Sequence, residues 1–297
     1  MVATGVRILS DLFERNETKS TFLAAPLNFL SSQNQEVVLM NFILTALIVS
    51  VAIQLILFIP AYIRRTDKLT DFSYGFSFIV LAIFALFSAN TSIGKMLLAT
   101  MITIWGMRLI IYLVIRVIKS RKDKRFDGIR EKFWKFFSFW FLQGISVWII
   151  MLPSLLLMSK YDAPITQLSM LGLFIWIFGI LTEGIADFQK SKFKADPANK
   201  DKWIATGLWK YSRHPNYFGE MLCWIGIYIY CLPTLMAAGL EWLIALISPL
   251  YIMTILLFIT GLPKLEKYAD DKWGKDKAYQ DYKRQTSAII LLPRKRQ

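Results

Sequence analysis

The run Trp209-Lys-Tyr-Ser-Arg-His-Pro-Asn-Tyr-Phe-Gly-Glu220 gathers Tyr211, Arg213, His214, Asn216, Tyr217 and Glu220, then leads straight into an apolar segment. His214 is the only histidine in 297 residues. Polar groups at the start of a membrane span are costly unless protein partners or a ligand satisfy them. A guanidinium can take a phosphate bidentately. Carboxylates and amides can take ribose hydroxyls, and aromatic side chains can stack on rings. These residue types suit an anionic, ring-bearing cofactor.

Three more groups carry the same kind of chemistry. Glu183, Asp187, Lys190 and Lys194 are spaced i, i+4, i+7 and i+11, so on a helix they share one face. They form either one wall of a polar cavity or an interfacial ladder in which the lysines neutralise the acids. Arg108, Tyr112 and Arg116 form a second stripe at i, i+4 and i+8. Arg116 can snorkel to the interface, whereas Arg108 lies about two turns deeper and needs an anion or a set of carbonyls. Asp71 and Tyr74 open a third apolar stretch. Asp71 either caps that helix or points into a ligand cavity. A phenol held by its neighbours can act as a general acid, which makes Tyr74 and Tyr112 the candidate proton donors, with Asp71 beside them.

These residues must be positioned by membrane helices. The chain is 55% hydrophobic, its mean hydropathy is +0.44, and several charge-free runs approach the roughly 18–20 residues that cross a bilayer. The expected fold is an all-α integral membrane bundle of about seven helices, with spans near 40–60, 72–90, 96–117, 137–158, 168–188, 217–232 and 242–262 and a cytosol-facing cavity. Residues 1–36 read as an N-terminal arm. They mix Asp11, Glu14, Arg15, Glu17 and Lys19 into the apolar residues, unlike a signal peptide. Residues 37–297 read as one membrane domain with its core at about 100–293. The stretch 119–135 is too charged to enter lipid and is expected as an interfacial helix. Pro153 should kink its span. The tail from 264 alternates charges with aromatics and is expected to cap the bundle.

Charge agrees with hydropathy. Segments 64–71, 119–135, 190–214 and 264–297 hold 28 of the 35 Lys/Arg, and all four fall on one face of a seven-span chain. The opposite loops hold only Lys95 and Lys160. The positive-inside bias makes the basic face and the C-terminus cytosolic, in a bacterial inner membrane or an endoplasmic reticulum. The net charge of +14 does not imply nucleic acid, because the bases cluster beside spans, where anionic headgroups explain them, and no nucleic-acid motif accompanies them. Cys223 and Cys231 lack zinc or redox spacing, and one histidine makes no metal site. GxGxxG and GxxxxGK[ST] are both absent.

The string Gly207-Leu-Trp-Lys-Tyr-Ser-Arg-His-Pro-Asn-Tyr-Phe-Gly-Glu220 resembles the signature of the steroid 5-alpha-reductase and sterol-reductase superfamily, closest to its largely uncharacterised branch. Trp105-Gly-Met-Arg108, Arg121-Lys-Asp-Lys-Arg-Phe and the tail from Glu266 to Pro293 fit the same branch, so the likeness covers about residues 60–293. The resemblance implies a bundle that holds NADPH and passes hydride to a C=C bond conjugated to a carbonyl of a steroid-like or other lipid. It implies that Asn216 and Glu220 bind the nicotinamide or ribose side, with His214 and Tyr217 in the same motif. It assigns Glu183, Asp187 and Lys194 to the adenosine and phosphate end. Arg213, Tyr211, Arg116 and Arg108 would support the phosphates, and Glu266 and Tyr282 of the tail would close the cavity. The sequence departs from the superfamily at Trp105, which stands where the steroid reductases place a tyrosine acid, and at Asp71, shorter than the expected acidic partner. Membrane methyltransferases of the isoprenylcysteine carboxyl and phospholipid type share Arg-His-Pro-x-Tyr-x-Gly and a similar tail, which makes S-adenosylmethionine the alternative cofactor. A non-catalytic lipid-binding or assembly factor is the third reading.

Overall fold

The computed structural model describes residues 36–88, 90–119, 128–159 and 162–294. The chain divides into two compact units, residues 1–45 and 46–297. Of the first unit, only the start of helix α1 (Glu36–Ile63) is described, so the expected arm lies outside the described residues. In the second unit α1 is followed by α2 (Lys68–Phe87), α3 (Ile93–Lys119), α4 (Phe133–Met158), α5 (Gln167–Ala195) and α6 (Pro215–Ala237). A last long helical stretch, Glu241–Trp273, is built from α7 (Glu241–Ala245), α8 (Ile247–Thr254), a π turn (Ile255–Ile259) and α9 (Leu262–Trp273). A short amphipathic helix, α10 (Lys277–Gln285), closes the chain. Seven helices are long and apolar enough to cross a membrane, and no strand occurs among the described residues. The protein is a multi-pass integral membrane protein.

Element boundaries differ from the hydropathy reading where polar residues continue a helix. α2 begins at Lys68, so its cap position is Asp67, and Asp71 sits in the first turn. Asp67 is spent on Arg130, at 2.7 Å, with both side chains buried. α5 runs on past its apolar part to Ala195, carrying the stripe of acids and lysines out of the span. Of the expected interfacial helix over 119–135, residues 120–127 lie outside the described residues, 128–131 form turns, and α4 has begun by Phe133. Pro153 lies inside α4, which continues to Met158.

In lipid, helices gain little from apolar contact, so close backbone approach at small residues joins them. Two pairs among the described helices set glycine against glycine. α5 and α6 meet along Gly172 and Gly179 on one helix and Gly219 and Gly226 on the other, each pair seven residues apart. A Cβ added at Gly172 would lie 2.4 Å from Tyr230 N, and one at Gly219 would lie 2.6 Å from Glu183 N. α2 and α3 meet at Gly75 and Gly106, where an added Cβ would come 3.1 and 3.2 Å from the partner glycine's carbonyl oxygen. α1 and α4 also approach at a glycine, an added Cβ at Gly144 standing 3.0 Å from Val51 Cα, and a polar knot joins both to α2. Gln54 donates to Ser73 O and Ser77 Oγ, while Gln143 donates to Gln54 Oε1 and Thr70 O. Amides buried in a span are stable only when satisfied in this way.

Gly226→Ala forces a methyl to within 2.6 Å of Trp176 N and 2.7 Å of Gly172 O. It should lower stability by about 1–3 kcal/mol, the usual cost of overpacking. Thermal unfolding in detergent is the measurement, and an unchanged melting temperature would contradict the seam.

Candidate functional site

The glycine seam brings Glu183 and Asp187 of α5 alongside the start of α6, and Arg108 of α3 reaches both acids. Its Nη1 donates to Asp187 Oδ2 at 2.9 Å and its Nη2 donates to Glu183 Oε1. Glu183 and Asp187 are buried. Glu220, one turn into α6, lies within electrostatic reach of Arg108 and Asp187. Tyr74 of α2 lies within electrostatic reach of Glu220 and of Tyr251 on α8. Tyr251 is hydrogen-bonded to Ser146 at 2.6 Å. Tyr74 and Glu220 both keep some accessible surface although they stand inside the bundle. The result is an inner cluster of one guanidinium, three carboxylates and a phenol drawn from four helices. Its apolar wall is a three-ring contact among Phe78, Trp105 and Trp224, with centroids 5.0–5.1 Å apart. Trp105 is fully buried, and its Nε1 and Glu183 Oε2 close no hydrogen bond, though the two side chains are neighbours.

Above this cluster the α6 N-terminus is strapped to the C-terminal tail. Arg213 Nε and Nη2 donate to the two oxygens of Glu266, both at 3.1 Å. Its Nη1 donates to the carbonyls of Lys283 and Thr286 at 2.8 and 2.7 Å. Arg213, expected as a phosphate ligand, thus also clamps α9 and the end of α10 onto the motif. Beyond α10 the chain runs extended beside the motif. Arg213 N donates to Ser287 O at 2.8 Å, and Leu292 N donates to Tyr211 O at 3.2 Å. Tyr282 donates from its hydroxyl to Trp209 O at 2.8 Å, and burial pushes that phenol's pKa up.

His214 shares Glu266 with Arg213, its Nε2 2.7 Å from Oε1, and stacks on Tyr217 at 5.8 Å. Burial pushes its pKa below the ordinary imidazole value, against the pull of the Glu266 hydrogen bond. A neutral ring that donates through Nε2 leaves a lone pair on Nδ1, and this buried atom has no hydrogen-bond partner. Tyr217 in turn packs against the end of the π turn, where a Cβ on Gly261 would meet its ring at 2.9 Å.

Outside this junction lies a cavity of about 420 Å³. Lys190, Lys194, Lys200, Lys202 and Lys272 line it together with six Trp and Tyr rings. Its walls are tied down one by one. Trp209 Nε1 donates to Ala186 O at 3.1 Å, Leu208 N donates to Gln189 Oε1 at 2.9 Å, and the Lys190 ammonium lies 4.8 Å from the Trp209 ring centre. Gly207 has φ +60 and faces the Gln189 amide, so any side chain there would be strained and would collide. Lys272 is paired with Asp201 at 2.8 Å and lies over Trp273.

The sequence-expected residues therefore divide. Arg108, Glu183, Asp187, Glu220 and Tyr74 come together inside, while Arg213, His214 and Lys194 line the outer cavity, with Glu266 and Tyr282 of the tail. Tyr217 and Asn216 stand between the two sets, in the first turn of α6. Tyr112 lines a groove on the other side of α5, beside Arg108. Tyr211 is 41% exposed and contributes through its carbonyl. Asp71 lies one turn before Tyr74. The Arg116 side chain and Arg121 lie outside the described residues. The stripe on α5 splits, its acids turning inward to Arg108 and its lysines reaching the outer cavity. The sequence reading missed Lys200, Lys202, Trp203, Lys272 and Trp273. Their one signal is the string Asp-Lys-Trp written twice, at 201–203 in a loop and at 271–273 at the end of α9. Among the described residues no group of acids, histidine and cysteines is arranged to hold a metal ion.

The family described as "Protein of unknown function (DUF1295)" matches residues 57–286, which takes in α2 to α10, and the chain belongs to that family. No curated protein and no solved structure matches it.

A histidine kept neutral by burial costs stability when it must take up a proton. The unfolded chain binds that proton more readily than the folded one, so stability rises with pH below the ordinary value near 6.5 and is lost as pH falls. Melting temperature should drop between about pH 7 and about pH 5. His214→Gln, which keeps a donor for Glu266, should flatten that part of the profile, because no second imidazole exists. A drop of the same size in the variant would assign it to other groups.

Proposed function

We propose that this DUF1295 protein is an NADPH-dependent membrane reductase that saturates a carbon–carbon double bond conjugated to a carbonyl in a lipid-like molecule. The observation that supports the reading is the outer cavity of five lysines and six aromatic rings, whose Lys190 and Lys194 follow Asp187 on α5 and whose His214 precedes Glu220 at the start of α6. That donor set fits a dinucleotide phosphate. Lys190, Lys194 and Lys202 would take phosphate oxygens, since ammonium–phosphate hydrogen bonds are among the stronger ones. Trp203 and Trp273 would stack on the adenine, and the His214 Nδ1 lone pair would accept from a ribose hydroxyl. Asn216 and Glu220 would hold the amide and ribose of the reducing end. When bound, the cofactor supplies a hydride.

The chain's own residues would do the rest. Tyr74 would place its phenolic proton at the substrate. Glu220 beside it would support that proton, and Arg108 would hold the neighbouring carboxylates in fixed positions. Trp105, at the position of the superfamily tyrosine, would pack the wall rather than give a proton, since an indole N–H is too weak an acid. The apolar spans would exclude water from the reacting atoms. With basic loops inside, the outer cavity and the C-terminus would face the cytosol, where NADPH is available.

The second reading, an S-adenosylmethionine-dependent methyltransferase, draws support from the surplus of carboxylates over guanidinium in the inner cluster, which suits a sulfonium. The five lysines of the outer cavity weigh against it, because that cofactor carries no phosphate.

Titration of the purified protein with NADPH, followed by nicotinamide fluorescence, is the test. Replacing Lys194 and Lys202 with alanine should weaken NADPH binding about tenfold or more, the scale of a lost charge-assisted hydrogen bond. Unchanged binding would remove the outer cavity from the account. Tyr74→Phe should bind NADPH as the wild type does, while NADPH oxidation in the presence of an enone lipid falls at least about a hundredfold. Undiminished oxidation would return the proton donor to Tyr112.

A further inference from the structure

α5 carries glycine on two sides. Gly172 and Gly179 are pressed into α6, but at Gly184 an added Cβ would meet nothing nearer than Arg108 Cδ, at 3.9 Å. The space lies in a groove of about 830 Å³ between α3 and α5, the facing members of the two glycine-joined pairs. Its walls are Ile104, Met107 and Ile111 on α3 and Phe188 on α5, exposed by 49, 47, 53 and 68%. These residues lie on helices apolar enough to span a membrane, so this surface meets acyl chains rather than water. The groove is not apolar throughout. Arg108 and Asp187 line it, and Tyr112, Ser191 and Lys192 stand where α3 and α5 approach their basic ends. Arg108 has five N–H groups, and its Nε has no acceptor. One guanidinium thus forms part of the inner cluster and part of the groove.

We propose that the α3–α5 groove binds a single-chain lipid laterally from the bilayer, its chain along Ile104, Met107, Ile111 and Phe188 and an acceptor oxygen of its head at Arg108. The chain class follows from the wall, and the head class follows from the polar lining, where Arg108, Tyr112, Ser191 and Lys192 offer donors and the one carboxylate, Asp187, is already paired with Arg108. The site is a route by which a membrane-dissolved molecule reaches the Arg108 cluster without crossing water. It rests on the reductase reading only for the statement that the lipid held there is the substrate.

The probe is a palmitic acid bearing a chain diazirine and an alkyne, photolysed with the protein in lipid nanodiscs and mapped by peptide mass spectrometry. Label should concentrate on α3 between 103 and 115 and on α5 between 184 and 195. Gly184→Leu fills the groove against the aliphatic stem of Arg108 and replaces no charged residue. It should cut that labelling about tenfold while leaving the melting temperature and NADPH titration unchanged. Met107→Trp narrows the same groove from α3 and should act alike, which keeps the test open if the leucine variant does not fold. Label spread evenly over all lipid-facing helices, or undiminished in a folded variant, would overturn the groove. Labelling as expected in a protein that binds no NADPH would leave the groove standing and sink the reductase reading instead.

Discussion

The contact on which the rest depends is the glycine seam between α5 and α6. Without a solvent to flee, two membrane helices hold together by how closely their backbones approach. Gly172, Gly179, Gly219 and Gly226 let these two approach until added Cβ atoms would stand 2.4–2.8 Å from partner backbone. The seam has a chemical consequence. Gly219 lies against Glu183, so the residue after it, Glu220, arrives beside Arg108 and Asp187. The same helix start fixes His214 and Asn216. A glycine inside the Arg-His-Pro-Asn-Tyr-Phe-Gly-Glu run thus sets the spacing between the motif and the acids of α5.

Charge then constrains what the seam assembles. Three carboxylates and one guanidinium inside a bundle are expensive in a low-dielectric setting unless their lone pairs and N–H groups are met. Arg108 meets two of the acids directly, at the end of a span where a lone arginine would be poorly tolerated. A layer further out, Arg213 meets Glu266 and two carbonyls. The two arginines do different work. Arg108 organises the interior, and Arg213 holds the tail against the α6 entrance, so that the cavity wall formed by Tyr279 and Tyr282 stays in place. The π turn at Ile255–Ile259 belongs to the same arrangement, since the glycine after it packs on Tyr217 beside His214.

Much of this was legible in one sequence because its signals are periodic. Seven apolar runs and the one-sided distribution of Lys/Arg give the spans, and helical spacing puts Arg108 with Tyr112 and Glu183 with Asp187. Pairing across helices was not legible. Arg108 with Glu183 spans 75 residues and Asp67 with Arg130 spans 63, and no periodicity records such distances. Asp71 was read as a possible cap because apolarity begins after it, whereas the helix starts earlier, on Lys68. That Arg213 also clamps the tail was not legible either, because its acceptors, Glu266 and the carbonyls of Lys283 and Thr286, lie more than 50 residues along the chain. The outer cavity was legible in part, through Lys190, Lys194, Arg213, His214, Glu266 and Tyr282, while the rest of its wall joins the 199–204 loop to the end of α9, a pairing only the fold makes.

The account turns on a phosphorylated dinucleotide occupying the cavity above the Arg108 cluster. The most direct measurement is mass spectrometry of the small molecules released when the gently purified protein is denatured. The account predicts NADPH or NADP at a stoichiometry that falls when Lys194 and Lys202 are both replaced. Recovery of S-adenosylmethionine or its demethylated product, with no pyridine nucleotide, would contradict it.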